Sequence, residues 1–248
     1  MDKDRLICFL WQHVLLLVSL FFLSLGVALC IRSNLGSSVI SSAPYVFTLA
    51  GQAGLVPRLS LGMYTNILNV LLVIGQVIVL RSQFRPIQLL QLFIGCVFGV
   101  LIDLSMFLTV FIVCSTMPWK LFLMVVGSSV MALGVSMEIR CASVTMPGEG
   151  LPAAIAKMTG KAFSTVKVYV DISLVGIAVI FVYVFFGHWM WNVVGIGTLF
   201  AMVYCGMAVK FISRRIDWFD RMLGYRPGFR RYFYGLAKYV QAHRYSRR

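Results

Sequence analysis

The heptapeptide MPGEGLP, residues 146–152, places one carboxylate, Glu149, between two glycines and two prolines. Glycine and proline both disfavour the interior of a helix. The chain on either side of the heptapeptide is strongly apolar. We interpret the heptapeptide as the break in a short helical segment that lies between longer apolar helices.

The overall composition shows whether most of this chain folds in water or in a lipid bilayer. Of the 248 residues, 60% are hydrophobic and only 12% are charged, and the mean hydropathy is +0.90. Soluble domains carry about 25% charged residues. The composition therefore excludes a soluble globular protein and predicts an all-α polytopic membrane protein.

Six apolar segments are long enough to cross about 30 Å of hydrocarbon, which takes roughly 20 residues. They are residues 7–30, 59–80, 87–113, 120–139, 163–187 and 190–212. Two further segments, residues 36–57 and 141–162, are rich in Ser, Gly and Pro. These two are either weak extra spans, which gives eight, or broken re-entrant segments, which leaves six.

An internal similarity relates the two halves of the chain. LGVALCIR, residues 25–32, and LGVSMEIR, residues 133–140, share five identities in eight at an offset of 108. The same offset aligns Pro44 with Pro152 in the two broken segments. The similarity predicts an internal duplication.

Other pairs of residues extend this duplication with slightly smaller offsets. Offsets of 105 and 107 align Tyr64 with Tyr169, Asn66 with Asp171, and Gly99 with Gly206. We predict two repeats, residues 7–113 and 120–212, each made of a span, a broken segment and two spans. Residues 1–212 then form the transmembrane domain, and residues 213–248 form a tail.

The distribution of basic residues favours six spans over eight. With six spans and a cytoplasmic N terminus, the cytoplasmic side holds the tail and Arg81, Arg85, Arg140, Lys157 and Lys161. The external loops then hold only Arg32, Arg58 and Lys120, as the positive-inside rule expects. Three spans per repeat is an odd number, so the repeats have opposite orientations, a construction found in many secondary transporters.

The two broken segments predict a binding site between the repeats. In the second repeat, the glycines around Glu149 supply a turn and Pro152 lies in the first turn of a half-helix. In the first repeat, Ser41 and Ser42 are candidate N-caps ahead of Pro44. Unpaired N–H groups at two such helix starts favour an anion.

Four of the eight acidic residues lie in or beside the membrane, where an unpaired charge is costly. Of these, Glu138 is expected at the interface beside Arg140, and Glu149 either binds substrate or caps its own half-helix. Lys167 and Asp171 form either a structural ion pair or part of a substrate site. The predicted substrate-binding residues are Ser41, Ser42, Asn66, Glu149, Lys167 and Asp171.

Signatures of catalysis and of metal binding are missing from the sequence. It contains no P-loop, no GxSxG and no HExxH, and none of its cysteines forms a CxxC pair. We therefore expect no enzyme, no cofactor, no metal site and no disulfide framework. The six cysteines are interpreted as small apolar residues.

The C-terminal tail is basic and rich in aromatic residues. Eleven of the 22 Lys and Arg residues lie within residues 210–248, interleaved with aromatic residues that include Phe219. Such a segment is expected to lie on the cytoplasmic face and to bind anionic lipids. RNA-binding segments have a similar composition, but membrane orientation accounts for the charge, so we predict no nucleic-acid partner.

Four stretches resemble the YczE/YyaS/YitT family of bacterial membrane proteins. They are IRSNLGSSVISSAPYVF (residues 31–47), FGVLID (98–103), MPGEGLPAAIAKMTGKAFSTVKVYVD (146–171) and GIGTLF (195–200). The likeness extends to about residue 212, and PGEG followed by KVYVD is its most specific feature.

The resemblance implies a multi-pass protein of the bacterial inner membrane, and because some relatives are grouped with exporters it favours a transporter of a small molecule. It identifies neither a substrate nor an oligomeric state. The alternative is a non-transporting scaffold or regulator of a membrane-associated pathway that acts through the tail.

Overall fold

The structure, a computed structural model, describes residues 3–84, 86–141 and 146–223. Every regular element in these ranges is helical, and short 3-10 turns at Arg81–Gln83 and Pro86–Leu89 join two of the long helices. The α-helices are α1 (Lys3–Arg32), α2 (Val39–Gln52), α3 (Leu61–Leu80), α4 (Leu90–Leu108), α5 (Met117–Cys141), α6 (Pro147–Thr159), α7 (Phe163–Phe186), α8 (Ile196–Ser213) and α9 (Asp217–Leu223). The predicted all-α fold class is confirmed.

Six helices are long and apolar enough to cross a membrane: α1, α3, α4, α5, α7 and α8. Helices α2 and α6 have 14 and 13 residues, so each is only about 20 Å long at 1.5 Å per residue. The chain is therefore a multi-pass membrane protein, and its described part supports six spans rather than eight.

Helices α1 and α5 form the centre of the molecule and pack against each other in antiparallel fashion. A β-carbon on Gly26 would collide with the backbone of Met131, and one on Gly134 would collide with the backbone of Leu23. Small residues allow such close approach between membrane helices. Leu23 lies against Gly134 and Gly26 lies against Met131, so residue numbers rise along α1 as they fall along α5, and the two helices are antiparallel.

Around this central pair, each short helix packs against a long helix from the other half of the chain. Helix α2 packs on α7 through Ala43, Val46, Ala178 and Val182, while α6 packs on α3. Helix α4 packs on α1, and α8 packs on α5. The two halves of the chain are thus interlocked rather than set side by side.

Two matched arginines close the ends of α4 and α8. The Arg32 guanidinium Nη2 donates to the carbonyl of Met106 at 2.9 Å, and Arg140 donates to the carbonyl of Ser213. The last carbonyls of a helix lack partners within the helix, so both contacts satisfy orphan acceptors. The two arginines are 108 residues apart and the two acceptors are 107 apart, close to the offset of the internal sequence similarity.

The last span begins later than the apolar pattern predicts, at Ile196 rather than near residue 190. The preceding residues turn to bind the linker between α1 and α2. Both the backbone N–H and the hydroxyl of Ser37 donate to the carbonyl of Val193, at 2.9 and 2.8 Å. This docking joins the first half of the chain to the second.

The start of the tail is anchored in the core. Ile216 and Phe219 are buried in the same apolar core cluster as Leu15 and Leu16 of α1, with Phe219 fully buried. The expectation that Phe219 faces lipid headgroups is therefore wrong, because α9 folds back onto the spans. Residues 224–248, which carry most of the predicted lipid-binding tail, lie outside the described residues.

Candidate functional site

The MPGEGLP heptapeptide forms the start of helix α6. The helix begins at Pro147, with Met146 as its N-cap, and the amide of Gly150 donates to the Met146 carbonyl at 2.9 Å. The prediction that the glycines form a turn and that the helix starts around Pro152 is therefore wrong. Pro147 occupies the first helical position, where its missing N–H removes no hydrogen bond.

The glycines of this first turn allow close packing instead. A β-carbon on Gly148 would collide with Ile40 in the first turn of α2, and one on Gly150 would press on the side chains of Gln76 and Gln91. Ile40 and Gly148 are separated by the repeat offset of 108. The starts of the two short helices therefore meet at matched positions.

A proline lies six residues into each short helix, at Pro44 in α2 and at Pro152 in α6. Because proline has no N–H, the carbonyl four residues earlier loses its regular helical donor. Those carbonyls belong to Ile40 and Gly148, the two residues that meet. We call the meeting of the two helix starts the junction of α2 and α6. It carries two backbone carbonyls that lack an i+4 hydrogen bond, and a polar ligand could donate to them.

The carboxyl group that contacts the N-cap of α6 belongs to Glu138, a residue of the neighbouring helix α5. It is only 5% exposed, and its Oε1 accepts a hydrogen bond from the amide of Met146 at 3.1 Å. Glu138 lies three residues before the end of α5, near the span end where it was predicted, but it is buried within the protein, where the positive end of α6 stabilises a carboxylate. Sequence reasoning missed this residue, although the repeat aligns it with Cys30, which is fully buried.

Glu149 lies in the first turn of α6, outside the six spans, and does not cap the helix. Burial raises the pKa of its carboxyl above the ordinary value, the charge of Lys167 lowers it, and Asp171 raises it. Lys167 Nζ lies 2.8 Å from Asp171 Oδ1, one helical turn away on α7. Glu138 also lies within electrostatic range of Glu149 and Lys167.

This arrangement, which we call the acidic cluster, consists of Glu138, Glu149, Asp171 and Lys167. Three carboxyl groups share one lysine, so full ionisation would leave excess negative charge in a largely buried place. Buried like charges favour uptake of a proton. The cluster can therefore take up protons or attract a cationic or hydrogen-bonding group.

The two predicted serines lie within α2 rather than at its N-cap, which is Ser38. The Ser41 hydroxyl lies 2.6 Å from the Ser38 hydroxyl, and the Ser42 hydroxyl donates to the Val39 carbonyl at 2.7 Å. Both serines are buried. Their prediction as N-caps is wrong by about one turn, although they do lie in the first turn of α2, beside the junction with α6.

Asn66 occupies a different place from the acidic cluster, in the seam between α3 and α4, where it faces Gly99. Its Oδ1 is buried, and so are both amide atoms of Asn69 and Oε1 of Gln76; none has a hydrogen-bond partner among the described residues. Gln76 does donate through Nε2 to Gln91 at 2.9 Å. The structure thus groups Glu149, Lys167 and Asp171 but leaves Asn66 in the α3–α4 seam.

Residues 3–84, 86–141 and 146–223 contain no group of three or more His, Cys, Asp and Glu side chains placed to hold a metal ion. The chemistry that the described residues offer at the junction of α2 and α6 therefore comes from carboxyl groups, one lysine, hydroxyls and backbone carbonyls.

Comparison with known proteins identifies a family for this chain. No curated protein and no solved structure matches the chain. The likeness to the YczE/YyaS/YitT family stays a prediction. Residues 10–214, which include all six spans from Trp11 onward, match a family described as a family of unknown function, DUF6198, and the chain belongs to that family.

Proposed function

We propose that this protein is a secondary transporter or exporter of a small molecule, with its substrate site between two inverted repeats. The observation that carries the proposal is the meeting of the α2 and α6 helix starts at Ile40 and Gly148. Broken helices that meet between inverted repeats form the substrate site in many secondary transporters.

The inverted repeat is supported by contacts that occur twice. Gly26 against Met131 and Gly134 against Leu23 exchange under the offset of 108. The pairings of α2 with α7 and of α6 with α3 exchange in the same way. Because the central helices α1 and α5 are antiparallel, a two-fold axis that relates them runs perpendicular to both, which for spanning helices lies in the membrane plane.

The substrate would bind at the junction of α2 and α6, between the acidic cluster and the buried hydroxyls of Ser41 and Ser42. Glu149 or Asp171 would carry a coupling proton, because three carboxyl groups around Lys167 favour protonation. Glu149→Gln and Asp171→Asn should then abolish flux while the folded protein remains in the membrane. Asn66 would join the site when the α3–α4 seam opens.

The proposed orientation has both termini in the cytoplasm of a bacterial cell, with the protein in the inner membrane. The loops after α3 and after α6 then hold basic residues on the inside, as the positive-inside rule expects. Impermeant cysteine reagents applied from outside should label positions near Arg58 and Lys120. They should not label positions near Arg81, and strong labelling there would overturn the orientation.

Alternating access to the junction gives a test that needs no known substrate. A transporter should expose Ser41→Cys to impermeant thiol reagents in both right-side-out and inside-out vesicles, because each orientation of the site opens to one side. Ser128→Cys is the matched control, since Ser128 is equally buried but lies between α1 and α5 beside Cys30. An unreactive Ser41→Cys on both sides would contradict transport.

A non-transporting scaffold or regulator remains the second candidate. It is favoured by the anchoring of α9 in the core through Ile216 and Phe219, which holds the start of the basic tail at a fixed place. Deleting residues 224–248 should then remove the cellular function and leave the reactivity of Ser41→Cys unchanged. A transporter should keep its flux after the same deletion.

A further inference from the structure

An open cavity of about 390 Å³ lies where α1 and α4 end and α3 begins. Its volume falls within the roughly 300–1,000 Å³ of small-molecule sites in proteins. None of the six predicted substrate-binding residues lines it. The cavity is therefore a candidate site separate from the junction of α2 and α6.

The charge in this cavity comes from a single residue, Arg32. No aspartate, glutamate or lysine is among the lining residues. One arm of the guanidinium is bound to the Met106 carbonyl, while its buried Nε has no partner among the described residues. Because a guanidinium carries five N–H donors, Arg32 keeps donors for a further acceptor.

The rest of the lining combines a polar side with an apolar side. Tyr45, Thr48 and Gln52 of α2 form part of the polar side, and Leu49 and Ile112 belong to the apolar side. Burial raises the pKa of the Tyr45 hydroxyl while the nearby charge of Arg32 lowers it. Tyr45 therefore lies beside Arg32 as a neutral hydroxyl that can donate to the same ligand.

The acid closest in sequence to the cavity wall is already occupied. Asp103 lies one turn before Met106 on α4, and its two oxygens accept from the Ser60 hydroxyl at 2.6 Å and from the Gly62 amide at 2.8 Å. Asp103 therefore accepts its hydrogen bonds from the start of α3 and not from Arg32. Arg32 has no ion pair among the described residues that would compete with a ligand.

We propose that this cavity binds a small organic monoanion, with the carboxylate of the ligand on Arg32 and its carbon chain against the apolar side. The planar fork of arginine matches a carboxylate. A single cation neutralises a monoanion, whereas a phosphate dianion would keep an unpaired charge. The site does not depend on transport, although in a transporter it would hold the anion before it reaches the junction.

Cys114 gives a native reporter, because its side chain lines the cavity. Burial raises the pKa of its thiol and Lys120 lowers it. We would compare its reaction rates with sulfonatoethyl and trimethylammoniumethyl methanethiosulfonate in the purified full-length protein, using mass spectrometry of the Cys114 peptide. Both reagents react with the thiolate, so the ratio of the two rates reports the local potential.

The anionic reagent should react faster, and Arg32→Gln should lower the rate ratio by about 3–10-fold, since one nearby charge is lost. Arg32→Lys should largely keep the ratio, which separates charge from folding. Arg140→Gln is the matched control, because that arginine makes the equivalent carbonyl contact at α8. A ratio that Arg32→Gln leaves unchanged would overturn the assignment of Arg32 as the cavity's cation.

Ligand binding is tested by protection of Cys114 from the neutral reagent methyl methanethiosulfonate. Hexanoate should slow the reaction severalfold, its uncharged analogue hexanamide should not, and Arg32→Gln should remove the protection. Equal protection by both compounds, no protection by hexanoate, or protection that persists in Arg32→Gln would each overturn the proposal. A failure of the Ser41→Cys accessibility test would leave these outcomes unaffected.

Discussion

The seam between α3 and α4 is closed, whereas the matching seam between α7 and α8 is open. Gly62 lies against the backbone of Gly99, and a β-carbon on Gly99 would collide with Asn66. Gly206, which the internal similarity aligns with Gly99, has no atom beyond the nearby backbone of its own helix within 4 Å of the position where its β-carbon would lie. In α3 and in α4, 39% of the apolar span is buried inside the protein, whereas in α7 and in α8 the buried share is 17%.

The two seams also differ in chemistry. In the first seam, Asp103 of α4 accepts hydrogen bonds from Ser60 and Gly62 and so fixes the start of α3. The offsets of 105 and 107 place Lys167 and Lys210 at the positions of Gly62 and Asp103. The first seam therefore has a carboxylate that accepts from a backbone N–H, whereas the aligned positions of the second seam hold two lysines, of which Lys167 is paired with Asp171.

In the proposed inverted repeat, the two seams therefore have different conformations. If the repeats exchanged conformations, α7 would close on α8 and α3 would separate from α4. That exchange would bring water or substrate to Asn66, Asn69 and Gln76, whose buried amide atoms have no partners among the described residues. Unsatisfied buried amides lower the stability of the closed seam, which makes the exchange easier.

The largest expected effect comes from filling the closed seam. Gly99→Leu should destabilise the protein by about 3 kcal/mol, because the side chain has no space beside Asn66. Gly206→Leu should change stability by less than about 0.5 kcal/mol, as for an ordinary exposed position. Thermal unfolding in detergent measures both. Equal losses in the two variants would mean that the α7–α8 seam is closed as well.

Much of the fold could be predicted from the sequence, because span length and hydropathy depend on composition alone. LGVALCIR and LGVSMEIR, the segments of the internal similarity, lie on α1 and α5, which pack against each other. The contacts within the candidate site could not be predicted from the sequence in the same way. That Gly148 and Gly150 serve close packing depends on neighbours distant in sequence, Ile40 and Gln76. The burial of Glu138 depends on the position of the α6 start, which no local pattern encodes.

The next effect in size comes from removing the carboxylate that fixes α3. Asp103→Asn should cost about 1.5–2 kcal/mol, because two hydrogen bonds to a charged acceptor are weakened or lost. Lys210→Gln, the change at the matched position, should be nearly neutral because Lys210 is exposed. Chemical denaturation in detergent would compare the two variants. If Asp103→Asn were also neutral, the start of α3 would be held by packing alone.

A smaller effect is expected at the ion pair on α7. Lys167→Ala should cost about 1 kcal/mol by leaving Asp171 unpaired, and the double change with Asp171→Ala should cost less than the single change. Partial exposure of the two side chains, 30% and 15%, limits the penalty. A double-mutant cycle on thermal stability measures the coupling. Simple additivity of the two losses would show that the pair contributes nothing to the folded state.

The smallest effect should be a gain, at the start of α7. The N-cap of α3 is Ser60, whose hydroxyl accepts from the amide of Met63 at 3.1 Å, whereas the N-cap of α7 is Ala162, which has no side-chain acceptor. Ala162 already has the extended backbone of an N-cap. Ala162→Ser should therefore stabilise α7 by about 0.5–1 kcal/mol by accepting a hydrogen bond from the amide of Ser164 in the first turn.

That gain corresponds to a rise of roughly 1–4 °C in the melting temperature for a protein of this size. Ala162→Val is the control, because it adds volume at the same position without an acceptor. If Ser and Val raised the melting temperature equally, the gain would come from apolar contact and not from the cap. A Ser-specific gain would mean that the start of α7, unlike that of α3, lacks a side-chain cap in the native protein.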